Sequence, residues 1–557
     1  MPRRAADHLV DCLADAGADR LFCVPGESYL ALLDALHGDT RIDVVTCRHE
    51  GGAGMMAVAD AKLTGRAGLL AVSRGPGATN ASIALHLAEQ DAVPLLALIG
   101  QVARHERGRG ALQEVDYTRM LGGICKAVVE LTDAARIAET VARLIHVAES
   151  GTPGPVALIL PEDLLSDTVD GDPLPVPRIA ATAPSDADVD RVATMLAAAE
   201  RPLVIAGGGL ARPDGRRALA DLARAHGLPV ATTFKHQEIF DNADPLFAGH
   251  LGFKIPGRMV KTFAEADLIL AVGTRLGDVP TQGWRIPRAP VPDQPVIHVW
   301  PDPAVLGRVV APTLGLACNP VAFARALAAR DAVRPDGRAA WAERLRAQSG
   351  KLTDYAPKDV TDGLDFGVVA AELARQAPRD AIVATDAGNF SGWIHALWPW
   401  DGTQDAIGAA GGAMGLAVPG AVAAALRHPD RMAIAVVGDG GLMMTGNELA
   451  AARARGIAPK IVVSDNGTYG TIRMHQERDH PGRVSGTDLA NPDFAAWAAS
   501  FGALGLTVGP GDDVAKAVAR LLAHDGPALL SVRASAEAIS AQITLTALRA
   551  RAATPPA

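Results

Sequence analysis

The stretch MAIAVVGDGGLMMTGNELAAARARGIAPKIVVSDNGTYG, residues 432–470, decides how the chain is read. An apolar run, 433–437, stops at Gly438-Asp439-Gly440-Gly441. An Ala-rich stretch follows, and a second apolar run, 461–464, stops at Asp465-Asn466-Gly467. Apolar runs this short, bounded by turn residues, read as buried strands, and the stretch between them as a crossover helix. Thr445 and Glu448 stand at capping-box spacing and predict the start of that helix. In such a unit the carboxyl ends of both strands lie side by side at one sheet edge. Asp439 and Asn466 are therefore expected to meet there, although 27 residues separate them. A carboxylate and an amide oxygen are hard ligands of the kind Mg²⁺ takes. The glycines let backbone N–H groups approach a diphosphate, whose charge suits a helix N-terminus. Either half alone is an ordinary tight turn. The ordered whole is what points to this chemistry.

The same alternation runs outward through the 557 residues: DVVTC, GAGMMAVADAKLTG and GLLAVS near the start, MAIAVVG, GNELAAARARG and KIVVSD near the end. Continuous apolar strands separated by helices predict an α/β chain of parallel sheets covered on both faces. Residues 170–186 are Pro-rich and read as a linker. Residues 330–362 are charged, with one helical segment, AAWAERLRAQ, and read as a second. The cuts leave three doubly wound parallel-sheet domains, 1–170, 187–330 and 363–545. GPGATNASIAL and GGAMGLAVPGAVAAAL share a Gly-rich turn leading into an Ala-rich helix, which hints at duplication of the outer two.

Hydrophobic residues make up 49% and charged residues 21%, a globular composition. A net charge of −9 argues against nucleic-acid or anionic-membrane partners. No apolar run reaches the length of a membrane span. The N-terminus, interrupted by Asp7, Asp11 and Asp15, reads as a helix and not a signal peptide. Five scattered cysteines without a CxxC pair imply a reducing, cytoplasmic setting and no structural zinc.

The 432–470 segment resembles the diphosphate- and Mg²⁺-binding motif of the thiamine-diphosphate-dependent enzymes, and its surroundings resemble the acetolactate synthase-like branch. RHEGGAGMMAVADAKLTGRAGLLAVSRGPGATN (48–80) resembles the start of that family's pyrimidine-binding domain, and GPVALILPEDL (154–164) its end. DAIGAAGGAMGLAVPGAVAAAL (405–426) resembles the segment that holds the cofactor's aminopyrimidine. PLVIAGGGL, ADLILAVGTRLGD and IHVWPDP resemble the central domain in order and spacing. The resemblance implies pyrimidine-binding, central and diphosphate-binding domains, with Asp439, Asn466 and the Thr468 carbonyl as Mg²⁺ ligands. It carries cofactor contacts onto Gly412, Met414, Gly438, Gly440, Gly441, Gly467, Tyr469 and Gly470. Met414 becomes the wedge under the cofactor, and Gly412 offers its carbonyl to the 4′-amine. Glu50, in RHEGGAG, matches the glutamate that contacts the aminopyrimidine ring. A carboxyl there shifts the ring toward its imino tautomer and makes its amine a base for the weakly acidic C2 proton. In this family the two halves of the site lie on different subunits, which implies a homodimer, paired into a dimer of dimers.

The chain departs from the synthase pattern at three points. Glu27, in VPGES, stands where synthases carry glycine, and decarboxylase branches place a proton-relaying acid near it. Leu112 replaces phenylalanine in LQE, and Gln113 remains as a polar group able to reach the substrate. His475, in TIRMHQERDH, stands where synthases carry a tryptophan that helps choose the second 2-oxo acid. FAD is left open: GGG (207–209) and GTRLGD (273–278) fit a flavin-holding central domain in part, but Phe253 and Lys254 replace the expected Met and His.

The expected activity is a thiamine-diphosphate- and Mg²⁺-dependent carbon–carbon lyase and carboligase acting on a 2-oxo acid. The alternatives are a simple 2-oxo acid decarboxylase, or a lyase of acyl-CoA or sulfonated aldehydes. Retention of Glu50 and Asp439 argues against a non-catalytic, cofactor-binding regulatory paralogue. Substrate and acceptor are not legible, because loops without a code shape the pocket.

Overall fold

The computed structural model describes residues 2–253 and 255–553. It contains three six-stranded parallel sheets, as the alternation predicts. The first sheet runs, edge to edge, Asp43–Thr46, Arg20–Cys23, Gly68–Val72, Leu95–Gln101, Pro155–Pro161, Ala127–Glu130. The third runs Asp405–Gly408, Ile382–Thr385, Ala433–Gly438, Lys460–Asp465, Ala528–Arg533, Leu504–Val508. Numbered within each sheet, both have the order 2-1-3-4-6-5. The central sheet differs: Phe247–Leu251, Val230–Thr233, Pro202–Ala206, Leu268–Val272, Val296–Val299, Leu314–Leu316, an order of 3-2-1-4-5-6. A short antiparallel pair, Arg3–Arg4 with Thr168–Val169, ties the first residues to the end of the first domain.

The chain divides into two compact units. One comprises Met1–Arg178, Lys358–Gly392 and Ile407–Ala557; the other comprises Ile179–Pro357 and Trp393–Ala406. In the first unit a single core extends through both sheets. It is joined by two helices packed on each other, Glu50–Thr64 and Ala417–Arg427. Both are rich in Ala and Gly, because helices enclosed on every side approach closely only with small side chains. At Gly54 an added Cβ would fall 2.4 Å from the Ala84 Cβ. The junction is also pinned by Arg427, whose guanidinium donates to Asp19 and Asp60 at 2.8 Å.

The helical segment read within 330–362 is present as Gly337–Thr353, and it belongs to the second unit. Arg338 in that helix is buried, donating to the His226 and Ala199 carbonyls, and the Trp341 indole N–H donates to the Pro202 carbonyl at 2.8 Å. Its charged outer face hid its buried one. The capping box fails. The helix after Ala433–Gly438 begins at Asp439, not at Thr445, and Thr445 makes no capping bond. The Thr445 hydroxyl donates to the Gly415 carbonyl instead.

Candidate active site

Ala433–Gly438 and Lys460–Asp465 are parallel neighbours, with Gly438 paired to Ser464, so their turns lie together. Asp439 Oδ1 accepts the Gly440 N–H, and its Oδ2 accepts the Gly467 N–H and the Asn491 amide, all at 2.9 Å. Asn491 also donates to Asp465, at 2.8 Å. Burial pushes both carboxyls above their ordinary range, and the nearby Asp465 charge adds to this at Asp439. A buried and a half-buried carboxylate sharing one amide suit a bound cation, which would offset the cost of burying their charge.

Asn466 Oδ1 accepts the Thr468 N–H at 3.2 Å. Thr468 is clamped by an isolated bridge to Asp488 in the 487–489 segment: Tyr469 N–H to the Thr487 carbonyl, Leu489 N–H to the Gly467 carbonyl, and the Thr468 hydroxyl to the Thr487 carbonyl. The Thr468 carbonyl takes no part in those bonds. Gly467 has φ +64°, where glycine alone is unstrained. At Gly440 a Cβ would lie 2.4 Å from the Tyr469 ring.

Asp386, which the sequence reading passed over, organises the neighbouring turn. It is fully buried after the strand Ile382–Thr385 and accepts the N–H groups of Gly415, Leu416 and Ala417 at 2.7, 2.7 and 3.1 Å. A Cβ on Gly441 would strike its Oδ2. Asp386 therefore ties the turn of Gly412 and Met414 to the GDGG turn. Gly412 is exposed with φ +74°, and Met414 is half-buried. The available signal was an acid directly after a buried strand.

On the first sheet, Glu50 opens the helix Glu50–Thr64, where His49 Nδ1 accepts the Gly51 N–H at 3.0 Å. Glu50 is half-buried, and its Oε2 accepts the Asn80 amide at 2.9 Å. The turn at Gly77 lies beside its Oε1. Glu448 reaches this helix from the other domain. Its carboxylate accepts the N–H groups of Arg48 and His49, each at 3.0 Å. It caps the Glu50 helix and not its own. Burial pushes its carboxyl up to about 7.

Three family models cover the chain in order. Residues 3–120 match the thiamine pyrophosphate enzyme N-terminal binding domain, 189–327 the central domain, and 386–532 the C-terminal binding domain. The chain is 32% identical to an acetolactate synthase large subunit of Parasynechococcus marenigrum, over 94% of this chain and 86% of the relative. It is 30% identical to the acetolactate synthase isozyme 2 large subunit of Escherichia coli, over 95% of each. The chain belongs to the thiamine pyrophosphate enzyme family. As such it is an α/β enzyme related to acetolactate synthase, with domains that bind thiamine diphosphate.

Within that family, the candidates on the first sheet share one edge. Glu27 follows Arg20–Cys23, and Ser73–Gly75 follow the neighbouring Gly68–Val72. The two loops touch: a Cβ on Gly26 would lie 2.6 Å from the Ser73 Cβ. Glu27 Oε1 accepts from Arg74 at 3.0 Å, and its side chain is 66% exposed. Gln113 lies against Gly75, exposed and with φ +64°, a conformation that non-glycine residues adopt mainly at strained sites. Its loop is held by Glu114, which accepts the N–H groups of Gly108, Gly110 and Ala111. Leu112 beside it is 74% exposed. His475 sits half-buried on the helix Gly470–Asp479 that follows the Asn466 turn, on the other sheet.

The cysteines contribute no nucleophile. All five are buried and unpaired, and burial pushes Cys23 up to about 11 and Cys125 up to about 12. In the central sheet the order reverses between Pro202–Ala206 and Leu268–Val272, where dinucleotides bind in such folds. The glycines there answer to their own neighbours. A Cβ on Gly207 would lie 2.7 Å from the Gly273 carbonyl, and one on Gly208 would lie 2.7 Å from the His236 imidazole. The GGG turn thus has a packing reason of its own. Lys254 lies outside the described residues. Among the described residues, no helix is long and apolar enough to cross a membrane.

Proposed function

We propose that this protein is a Mg²⁺- and thiamine-diphosphate-dependent lyase and carboligase that decarboxylates a 2-oxo acid and transfers the remaining fragment to an acceptor carbonyl. The observation that supports it most is the Asp439 turn, a buried carboxylate aligned by Gly440, Asn491 and Gly467, the last of these between Asn466 and Thr468. Asp439, Asn466 and the Thr468 carbonyl would hold Mg²⁺. Gly438, Gly440, Gly441, Gly467, Tyr469 and Gly470 would line the diphosphate, and Gly412 and Met414 would face the rest of the cofactor. Thiamine diphosphate, when bound, supplies the electron sink for loss of CO₂. Glu50, its carboxyl oriented by the Asn80 amide, would contact the aminopyrimidine ring and exchange a proton with it. Gln113 and His475 would contact substrate. By the family pattern, in which these two groups meet across a subunit boundary, the complete site would take Glu50 and Asp439 from two chains of a homodimer, and two dimers would pair into a tetramer in the cytoplasm. FAD is not part of this reading.

The relatives' printed name, acetolactate synthase, makes pyruvate the first donor to try. Incubation with thiamine diphosphate, Mg²⁺ and a panel of 2-oxo acids, with products identified by mass, should yield CO₂ and a ligation product. Failure to release CO₂ from every member would overturn the proposal.

One observation favours the simple decarboxylase as second reading. Glu27 stands on the edge that also carries Gln113, with most of its side chain in the open. A carboxyl there can protonate the decarboxylated donor carbon and release an aldehyde. Glu27→Gly should then lower the ratio of aldehyde to ligation product, with decarboxylation itself changing less. An unchanged ratio would return the protein to the synthase reading.

A further inference from the structure

Arg74 stands at the centre of the first sheet's carboxyl edge, and nothing in the proposed chemistry uses it. Its side chain is only 9% exposed. One terminal nitrogen lies 3.0 Å from Glu27 Oε1, and the other lies 2.7 Å from Glu162 Oε2, in the segment after Pro155–Pro161. The guanidinium therefore bridges the ends of two strands from a third. Its backbone is fixed as well. The Arg74 N–H donates to the buried Ser28 hydroxyl at 3.2 Å, and Ser28 and Ser73 share a hydrogen bond. Ser28 in turn is wedged against Gly100, where a Cβ would lie 2.1 Å from its Oγ.

A buried guanidinium is costly unless paired, and its planar fork fixes the direction of what it pairs with. A carboxylate as exposed as Glu27 would otherwise sample several rotamers, at an entropic cost whenever one of them is needed. Arg74 takes one Glu27 oxygen and leaves the other for a reacting group.

We propose that Arg74 is the positioning residue for Glu27, setting how efficiently that carboxyl delivers a proton to the decarboxylated donor carbon. The inference rests on the reading that Glu27 governs aldehyde release. The proton leaves the Glu27 carboxyl and a C–H bond forms on the donor carbon; the Glu27 carboxylate would then take the hydroxyl proton of that carbon as the bond holding it breaks, which restores Glu27 and frees the aldehyde.

The test is a double-mutant cycle with pyruvate as donor and acceptor, reading acetaldehyde against acetolactate. Glu27→Gln should lower the ratio. Arg74→Gln should lower it by a similar fold, and adding Arg74→Gln to Glu27→Gln should move it by less than about twofold, since residues acting as one unit are not additive. Arg74→Lys, a point charge without the fork, should fall between. Thermal melting checks that each variant folds, and if Arg74→Gln does not, the same cycle is run with Arg74→Lys. A ratio that moves with Glu27→Gln but not with Arg74→Gln overturns the proposal. So does an Arg74 effect of equal size in both backgrounds. A ratio untouched by Glu27→Gln overturns the parent reading and this one with it, as does no turnover of any 2-oxo acid of the panel; where pyruvate is not turned over, the cycle is run with the donor that the panel identifies.

Discussion

Asp439 is the residue on which the cofactor reading bears most heavily. Its carboxylate is almost fully buried, accepts three N–H donors, and lies near a second acid, Asp465. Asp439→Ala should abolish Mg²⁺-dependent binding of thiamine diphosphate, because the diphosphate would lose the charged ligand of its counter-ion. Calorimetric titration of both proteins checks this, and unchanged affinity would remove Asp439 from the metal site. At this scale the sequence was informative where chemistry and backbone geometry coincide. A strand end, a glycine turn and an oxygen-bearing side chain define Asp439 and Asn466 by local pattern alone. Asp386 escaped because nothing local marks an acid whose partners, Gly415 to Ala417, lie some thirty residues away. Arg74 escaped for the same reason, its two carboxylates being brought to it by neighbouring strands.

The helix Glu50–Thr64 shows what an element gains from the rest of the chain. It is buried along nearly its whole length, and its N-terminal approach is capped from the other domain by Glu448. Capping-box spacing had assigned Glu448 to its own helix. That rule considers only residues within one turn, and here the carboxylate is engaged by Arg48 and His49 some four hundred positions earlier. Folding raises the Glu448 carboxyl to about 7 from the ordinary carboxylate range. The native state therefore holds a proton that the unfolded chain has released. The stability this contributes is fully present below the unfolded pKa and is lost as pH rises through about 7. Denaturant unfolding of the cofactor-free protein should show a decline of at most roughly 3 kcal/mol across that window. Glu448→Gln should flatten it. An equal decline in the variant would show that Glu448 is not its source. The packing side has its own test. Gly54→Val should destabilise by several kcal/mol, on the order of an overpacked core, because its Cβ would meet Ala84. Thermal melting reads it directly.

At the scale of the molecule, three parallel sheets follow from the alternation of short apolar runs with Ala-rich helices. The common strand order of the first and third sheets matches the shared pattern of Gly-rich turn and helix that the two segments display. Less legible was the assignment of peripheral helices. Gly337–Thr353 looked like a linker because its exposed face is charged, and Trp393–Ala406 joins the central unit although it lies within the C-terminal segment. The central claim is that Glu50 of one subunit and Asp439 of another complete one thiamine-diphosphate site, and complementation tests it most directly. Chains carrying Glu50→Gln and chains carrying Asp439→Ala are each expected to be inactive. Co-assembled in equal amounts, they form hybrid dimers in which one of the two sites is wholly native. The account predicts recovery of roughly a quarter of the unaltered activity. If both residues served the same site from one chain, every site would stay damaged, and no recovery would appear.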